Sequence, residues 1–269
     1  KTSGTADHGP QGSPQLRRFV YSLFFIFGGI TSLNDVIIPK FKELFTLTYA
    51  QAMLVQSAFF AAYFLCSLPG AAVLLKLGYM RTAVVGLGTM ALGCLLFIPA
   101  SLSGQFAIFL LALFVLAAGI TIVQVVVNPL ILALGPPAQA HSRLTFAEGF
   151  NSLGTTVFPF VGSMLILGAL SQVDQGALTA GALDAYRAQE TRVIMHAYIY
   201  LALALGVVAT CVWLMRKSLT ETPTRKSSIS VALNLLTQPR FGIGALCIFL
   251  YVGAEVAIGS VIVNYLMQT

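Results

Sequence analysis

Seven stretches of the chain are apolar for about 20 residues or more, at about 19–38, 51–75, 82–100, 106–134, 144–170, 193–215 and 241–266, each bounded by charge, proline or glycine. A hydrocarbon layer about 30 Å thick takes about 20 helical residues to cross. Lipid offers no hydrogen bonds, so only helices and closed barrels satisfy their own backbone within it. Barrel strands run to about 9–11 residues with strict alternation, which these segments lack. Seven transmembrane helices are therefore expected. Composition agrees, with 57% hydrophobic and 9% charged residues and a mean hydropathy of +0.87. A soluble domain needs roughly 25% charge to keep its surface wet.

The net charge of +6 is a topology signal once it is sorted by loop. Eleven Lys and Arg (Lys1, Arg17, Arg18, Lys76, Arg81, Arg143, Arg216, Lys217, Arg225, Lys226, Arg240) fall on one side and four (Lys40, Lys42, Arg187, Arg192) on the other. The positive-inside rule then places the N-terminus in the cytoplasm, and no nucleic-acid partner is needed to explain the basic excess. Residues 1–18 read as a disordered cytoplasmic tail, 19–216 as a six-helix transmembrane bundle and 217–240 as a cytoplasmic linker. Residues 241–269 read as the first helix of a second, truncated bundle. The segment 171–192 reads as an outer loop, with Asp174, Asp184 and Glu190 as ordinary solvent groups. All four cysteines fall within spans, where they pack as small apolar residues.

Three of the nine acids lie inside spans: Asp35, Glu148 and Glu255. A carboxylate at the bilayer centre costs about 2.5–3.5 kcal/mol on insertion scales, so each needs a watery cavity, a partner or a bound proton. Amides accompany them: Asn34 beside Asp35, Gln56 in the second span, Gln124 and Asn128 in the fourth, and Asn151 one turn after Glu148. Gly28, Gly29 and Pro39 in the first span, and Pro129 in the fourth, predict irregular backbone beside these groups, tolerated where it lines a cavity. If spans 1–3 and 4–6 are inverted repeats, the first and fourth occupy equivalent places. Amides and carboxylates with aromatic neighbours, and no Lys or Arg at depth, suit a neutral polyhydroxylated ligand such as a sugar. There is no HExxH, Walker loop, nucleophile elbow or paired-cysteine motif, so the expectation is a transporter, not an enzyme, with neither cofactor nor metal.

The strings LNDVIIPKFKELFTLTYAQAMLVQSAFF (33–60), NPLILALGPP (128–137), RLTFAEGFNSLGTT (143–156) and IFLYVGAEVAIGS (248–260) resemble the fucose–galactose–proton symporter family of the major facilitator superfamily. The resemblance runs from about Phe24 to Leu266, apart from the two longer loops. It implies an all-α polytopic fold of two six-helix bundles, with this chain carrying the N-terminal bundle of 3+3 inverted repeats plus the seventh helix. The rest of the C-terminal half would lie beyond Thr269. It also implies a bacterial inner membrane, alternating access and sugar uptake driven by an ion gradient.

In fucose permeases an aspartate of the first helix and a glutamate of the fourth are tied to proton coupling and sugar recognition. The first falls on Asp35, but the second falls on Gln124, and Glu148 stands where the family has glutamine in the fifth helix. Amide and carboxylate have exchanged helices. Asp35 is thus the expected proton carrier, with Glu148 as second carrier or sugar-hydroxyl acceptor. Asn34, Gln56, Gln124, Asn128, Asn151 and Glu255 are expected substrate-binding groups. Gly78 and Arg81 remain from the superfamily's gating loop, whose aspartate is missing. Sodium coupling and facilitated diffusion stay open, since Asp and backbone carbonyls can also hold a hard cation. A seven-helix receptor fits badly, because its N-terminus lies outside and span 7 has no lysine for retinal. A sugar sensor would be told from a transporter only by flux.

Overall fold

The computed structural model describes residues 14–44, 48–166, 180–216, 234–235 and 237–266, and within the first helix it describes side chains as far as Leu33. The chain divides into two compact units, Lys1–Pro223 and Thr224–Thr269. The first holds α1 (Pro14–Leu44), α2 (Tyr49–Leu77), α3 (Tyr79–Leu95), α4 (Phe97–Ser103), α5 (Phe106–Ala133), α6 (Ala140–Ile166) and α7 (Ala180–Met215). The second holds α8 (Pro239–Leu266). Among the described residues there is no strand.

Five stretches among the described residues are long and apolar enough to cross a membrane: Gln15–Leu33, Met53–Leu77, Tyr79–Ser103, Phe106–Ala133 and Gln189–Met215. The chain is a multi-pass membrane protein. The expected fifth span, α6, has the length at 27 residues, but Glu148, Asn151, Ser152, Thr155 and Thr156 hold down its hydropathy. The expected seventh, α8, is a helix of 28 residues, several of whose side chains lie outside the described residues.

Local chemistry sets the helix ends. Thr48 opens α2 with a capping box: its hydroxyl accepts the Gln51 N–H at 3.3 Å, and Gln51 Oε1 accepts the Thr48 N–H at 2.9 Å. Gly78, at φ 79°, separates α2 from α3 in a backbone conformation that side chains disfavour, and its N–H closes α2 on the Leu74 carbonyl at 2.9 Å. Pro99 has no N–H for the Leu95 carbonyl, and the third span breaks there into α3 and α4.

Elsewhere prolines and glycines leave the helices whole, which corrects the expected irregular backbone. α1 runs unbroken through Gly28 and Gly29, and α5 through Pro129 to Ala133. The glycines serve packing instead. A methyl at Gly28 would meet Asn151, at Gly29 it would meet Phe158, and at Gly154 it would meet the Phe25 carbonyl, so α1 and α6 touch along their backbones. Gly86 and Gly93 of α3 and Gly119 of α5 make the same kind of seam, with Gly93 against Leu116 and Gly119 against Met90.

α5 is the hub, with Leu113, Leu116, Ile120, Val127 and Ile131 at most 1% exposed, and it packs on α1, α2, α3, α4 and α6. The dominant pairings are α1 with α6, α3 with α5, α5 with α2 and α3 with α7. Exchanging the two three-span repeats maps the first pairing onto the third and the fourth onto itself, while α3 with α5 has no comparable counterpart in α7 with α1.

A second correction concerns the outer loop. α7 starts at Ala180, well before residue 193, and Tyr186, Glu190 and Thr191 are buried, Glu190 to 1% exposure. Its alanine-rich first turns favour helix although their charges lower the hydropathy.

Arg143 is buried at the start of α6 and clamps the end of α5. Nε donates to the Ile131 carbonyl at 3.2 Å, Nη2 to Leu132 at 2.7 Å and Gly135 at 3.3 Å, and Nη1 to Pro136 at 2.9 Å. Terminal carbonyls lack partners within their own helix and carry partial negative charge, so one guanidinium fork satisfies them together. Arg143→Ala should cost about 3 kcal/mol and lower the melting temperature of the detergent-solubilised protein by several degrees, with Arg143→Lys recovering only part. Unchanged melting of Arg143→Ala would contradict the clamp.

Candidate functional site

The sequence-predicted polar residues gather into two groups on facing helices. The first centres on Gln124 of α5, which is half-buried. The hydroxyl of Tyr63 on α2 is a hydrogen-bonding neighbour of the Gln124 side chain and of Thr31 on α1. Thr31 also donates a hydrogen bond to the Phe27 carbonyl at 2.8 Å. Three helices thus meet at one neutral node. Gln56 stands two turns before Tyr63 and is half-buried, while Asn128, one turn beyond Gln124, is exposed.

The second group lies on α6. Asn151 Nδ2 donates to Glu148 Oε2 at 3.2 Å. Its Oδ1 is buried against Gly28 and accepts no hydrogen bond among the described residues. A buried acceptor left without a donor costs about 1–3 kcal/mol, so this amide is held by the α1–α6 contact at a disadvantage that an incoming donor would relieve. Glu148 itself is exposed. On the other face of α6, two residues before and two after Glu148, Phe146 and Phe150 form an aromatic platform with Tyr21 of α1: Tyr21 stacks on Phe150 at 5.4 Å and 9°, and meets Phe146 edge-on at 5.2 Å. An open groove of about 540 Å³ follows this face between Ser142 and Leu153. Glu148 and Gln124 are on helices that pack together, but among the described residues no hydrogen bond joins the two groups.

The remaining expected residues fall elsewhere. Asn34 and Asp35 belong to the helical backbone of α1, three and four residues after Thr31, and their side chains lie outside the described residues. Glu255 is exposed on α8, in the second unit. Gly78 forms the α2–α3 turn, and Arg81 is exposed three residues later. Among the described residues no cluster of His, Cys, Asp or Glu could hold a metal ion.

Tyr63 and Thr31 escaped the sequence reading, which weighed only carboxylates and amides. The available signal was a tyrosine on the Gln56 face of an apolar helix, since a buried phenol normally finds a polar partner.

Residues 20–269 match the Major Facilitator Superfamily. The chain belongs to that superfamily, a family of transporters rather than enzymes. Among individual relatives it is similar to the glucose/galactose transporter of Brucella abortus biovar 1 (strain 9-941), 43% identical over 244 residues, covering 91% of this chain and 56% of the relative. It is also similar to the L-fucose-proton symporter of Escherichia coli (strain K12), 33% identical over 255 residues, covering 92% of this chain and 58% of the relative. A crystal structure of the E. coli fucose:proton symporter superposes with a TM-score of 0.79 at 28% identity, over 94% of this chain and 62% of that one. The chain therefore spans rather more than half the length of these relatives, and the all-α helical-bundle fold expected from sequence is the fold observed.

The node at Tyr63 makes a direct prediction. Tyr63→Phe and Thr31→Val should each destabilise the protein by about 1 kcal/mol, and the double variant by clearly less than the sum, because both remove one interaction. Thermal unfolding of the two singles and the double measures this, and strict additivity would contradict the shared node.

Proposed function

We propose that the whole protein is a secondary active sugar transporter, carrying a neutral hexose or related sugar into the cell by alternating access with a co-transported proton. Its place would be the cell membrane, a bacterial inner membrane on the evidence of its relatives, with the N-terminus in the cytoplasm as the charge asymmetry indicates.

The supporting observation is the chemistry of the two groups. Gln124, Tyr63, Thr31 and Asn151 are neutral groups able to donate and accept, Glu148 accepts, and α1 and α6 also carry an aromatic platform. Sugar hydroxyls need paired donors and acceptors, and sugar C–H faces lie on aromatic rings. Relatives named as glucose/galactose transporters and as a fucose-proton symporter support the substrate class and favour the proton over sodium.

In this reading Asp35 is the leading proton carrier and Glu148 the second carrier or a sugar-hydroxyl acceptor. Gln124, Asn128, Asn151, Asn34, Gln56 and Glu255 are polar groups of the path, and Gly78 with Arg81 belongs to a gating loop. The expected tail, 1–18, gives way to α1 at Pro14, and the expected linker, 217–240, gives way to α8 at Pro239, so only the residues outside these helices would serve as tail and linker.

Two uptake experiments on the full-length gene product test the assignment. Asp35→Asn should abolish gradient-driven accumulation of radiolabelled sugar, by more than about tenfold, while counterflow survives. Undiminished accumulation would overturn the role of Asp35. Glu148→Gln should impair accumulation, and adding Gln124→Glu should restore part of it. A double variant no better than the single would remove the support for an exchanged carboxylate.

A further inference from the structure

Further along α1 and α6 from the aromatic platform, a cleft of about 720 Å³ opens between α1, α6 and α7. Its walls are apolar: Phe25 and Leu33 from α1, Val157, Phe158 and Val161 from α6, and Val193, Ala197, Leu201 and Ala204 from α7. His196 and Tyr200 are the polar exceptions. None of its lining residues belongs to the polar groups of the proposed transport path.

Along α7 the lining runs from Val193 to Ala204, and eleven residues at about 1.5 Å each give a depth of about 16 Å. That is about half of a 30 Å hydrocarbon core, the depth of one leaflet. The apolar span of α7 begins at Gln189, so the Val193 end lies near the membrane surface and the Ala204 end near the midplane. α7 starts at the end of the bundle where α6 finishes, which puts Leu33 and Gly162 at the surface end as well. His196 lines this end, and Arg192 stands one turn further out on the same face of α7, exposed. Only four of the fifteen basic residues lie on this side of the chain by sequence, and one of them is at the mouth of the cleft.

We propose that this cleft binds a phospholipid with an anionic headgroup, one acyl chain lying between α1, α6 and α7 and the phosphate held by Arg192 and His196. The depth matches a single leaflet, the walls match hydrocarbon, and the two nitrogen-bearing side chains sit at headgroup level, where Arg presents a fork suited to phosphate oxygens. The occupied cleft would brace α7 against the α1–α6 pair, since α7 itself touches α6 only sparsely.

The test compares the full-length gene product in nanodiscs of phosphatidylcholine alone and of phosphatidylcholine with phosphatidylglycerol. The anionic lipid should raise the melting temperature by several degrees. The double variant Arg192→Gln, His196→Gln should lose that increment, and so should Ala204→Trp, which fills the inner end of the cleft. Phosphatidylglycerol carrying a photoreactive acyl chain should label peptides of α1, α6 and α7 in the unmodified protein, which keeps the test decisive should a variant fail to fold. Equal melting in both lipids, a shift retained by both variants, a shift reproduced by inorganic phosphate in phosphatidylcholine discs, or labelling confined to other helices would each overturn the proposal. The last outcome would mean that protein covers the cleft. Sugar uptake is not read in any arm, so failure here leaves the transport assignment untouched.

Discussion

Backbone-to-backbone contact between helices is the constraint on which the first unit rests. In lipid there is no hydrophobic gain from pressing one apolar helix against another, and association comes from dispersion contacts and hydrogen bonds that need close approach. Gly86 and Gly93 of α3 facing Leu116 and Gly119 of α5, and Gly28, Gly29 and Gly154 at the α1–α6 crossing, provide that approach. A side chain at any of them would hold the helices apart. The most buried helix, α5, is accordingly the one gripped by such a seam and clamped at its end by Arg143.

The same seams decide where polar chemistry can sit. Gly28 brings the α1 backbone onto Asn151, and the Asn151 amide turns its nitrogen to Glu148. Three residues further along α1, Thr31 neighbours Tyr63 of α2, which in turn neighbours Gln124 of α5. α1 is therefore common to both polar groups, and a shift of α1 against α6 or α5 alters them together. Such a helix is a natural place for a carboxylate that responds to a neighbouring site, and Asp35 is one turn beyond Thr31 in its sequence.

Hydropathy made most of the helices legible, because in lipid a segment that is apolar for 20 residues has little alternative to helix. The same measure failed where helicity and apolarity part company. The segment from Ala180 is helical by propensity but charged, so it read as loop, and Glu190 read as solvated when it is buried. Gly28 and Pro129 were read by their local tendency to break helices, whereas neighbouring helices absorb the proline and exploit the glycine. Glu148 with Asn151 was visible as a one-turn spacing on one helix. The Tyr63 node was not, since it joins residues 31, 63 and 124 from three helices and no spacing along the chain encodes it.

The exchange of amide and carboxylate between the fourth and fifth spans that the family resemblance implies would have a physical sense in these surroundings. Gln124 is half-buried beside the Tyr63 hydroxyl, a neutral hydrogen-bonding partner. A carboxylate there would bear the desolvation of its charged form with little to offset it, whereas an amide is satisfied by neutral partners. Glu148 is exposed and bonded to a single amide nitrogen, so its charged form keeps most of its hydration. Placing the carboxylate on α6 rather than α5 keeps charge out of the three-helix node and sets it on an exposed position. Under the proposed function the node would act as a neutral hydrogen-bonding surface, and the ionisable groups would stand on α1 and α6, which are already joined at Gly28.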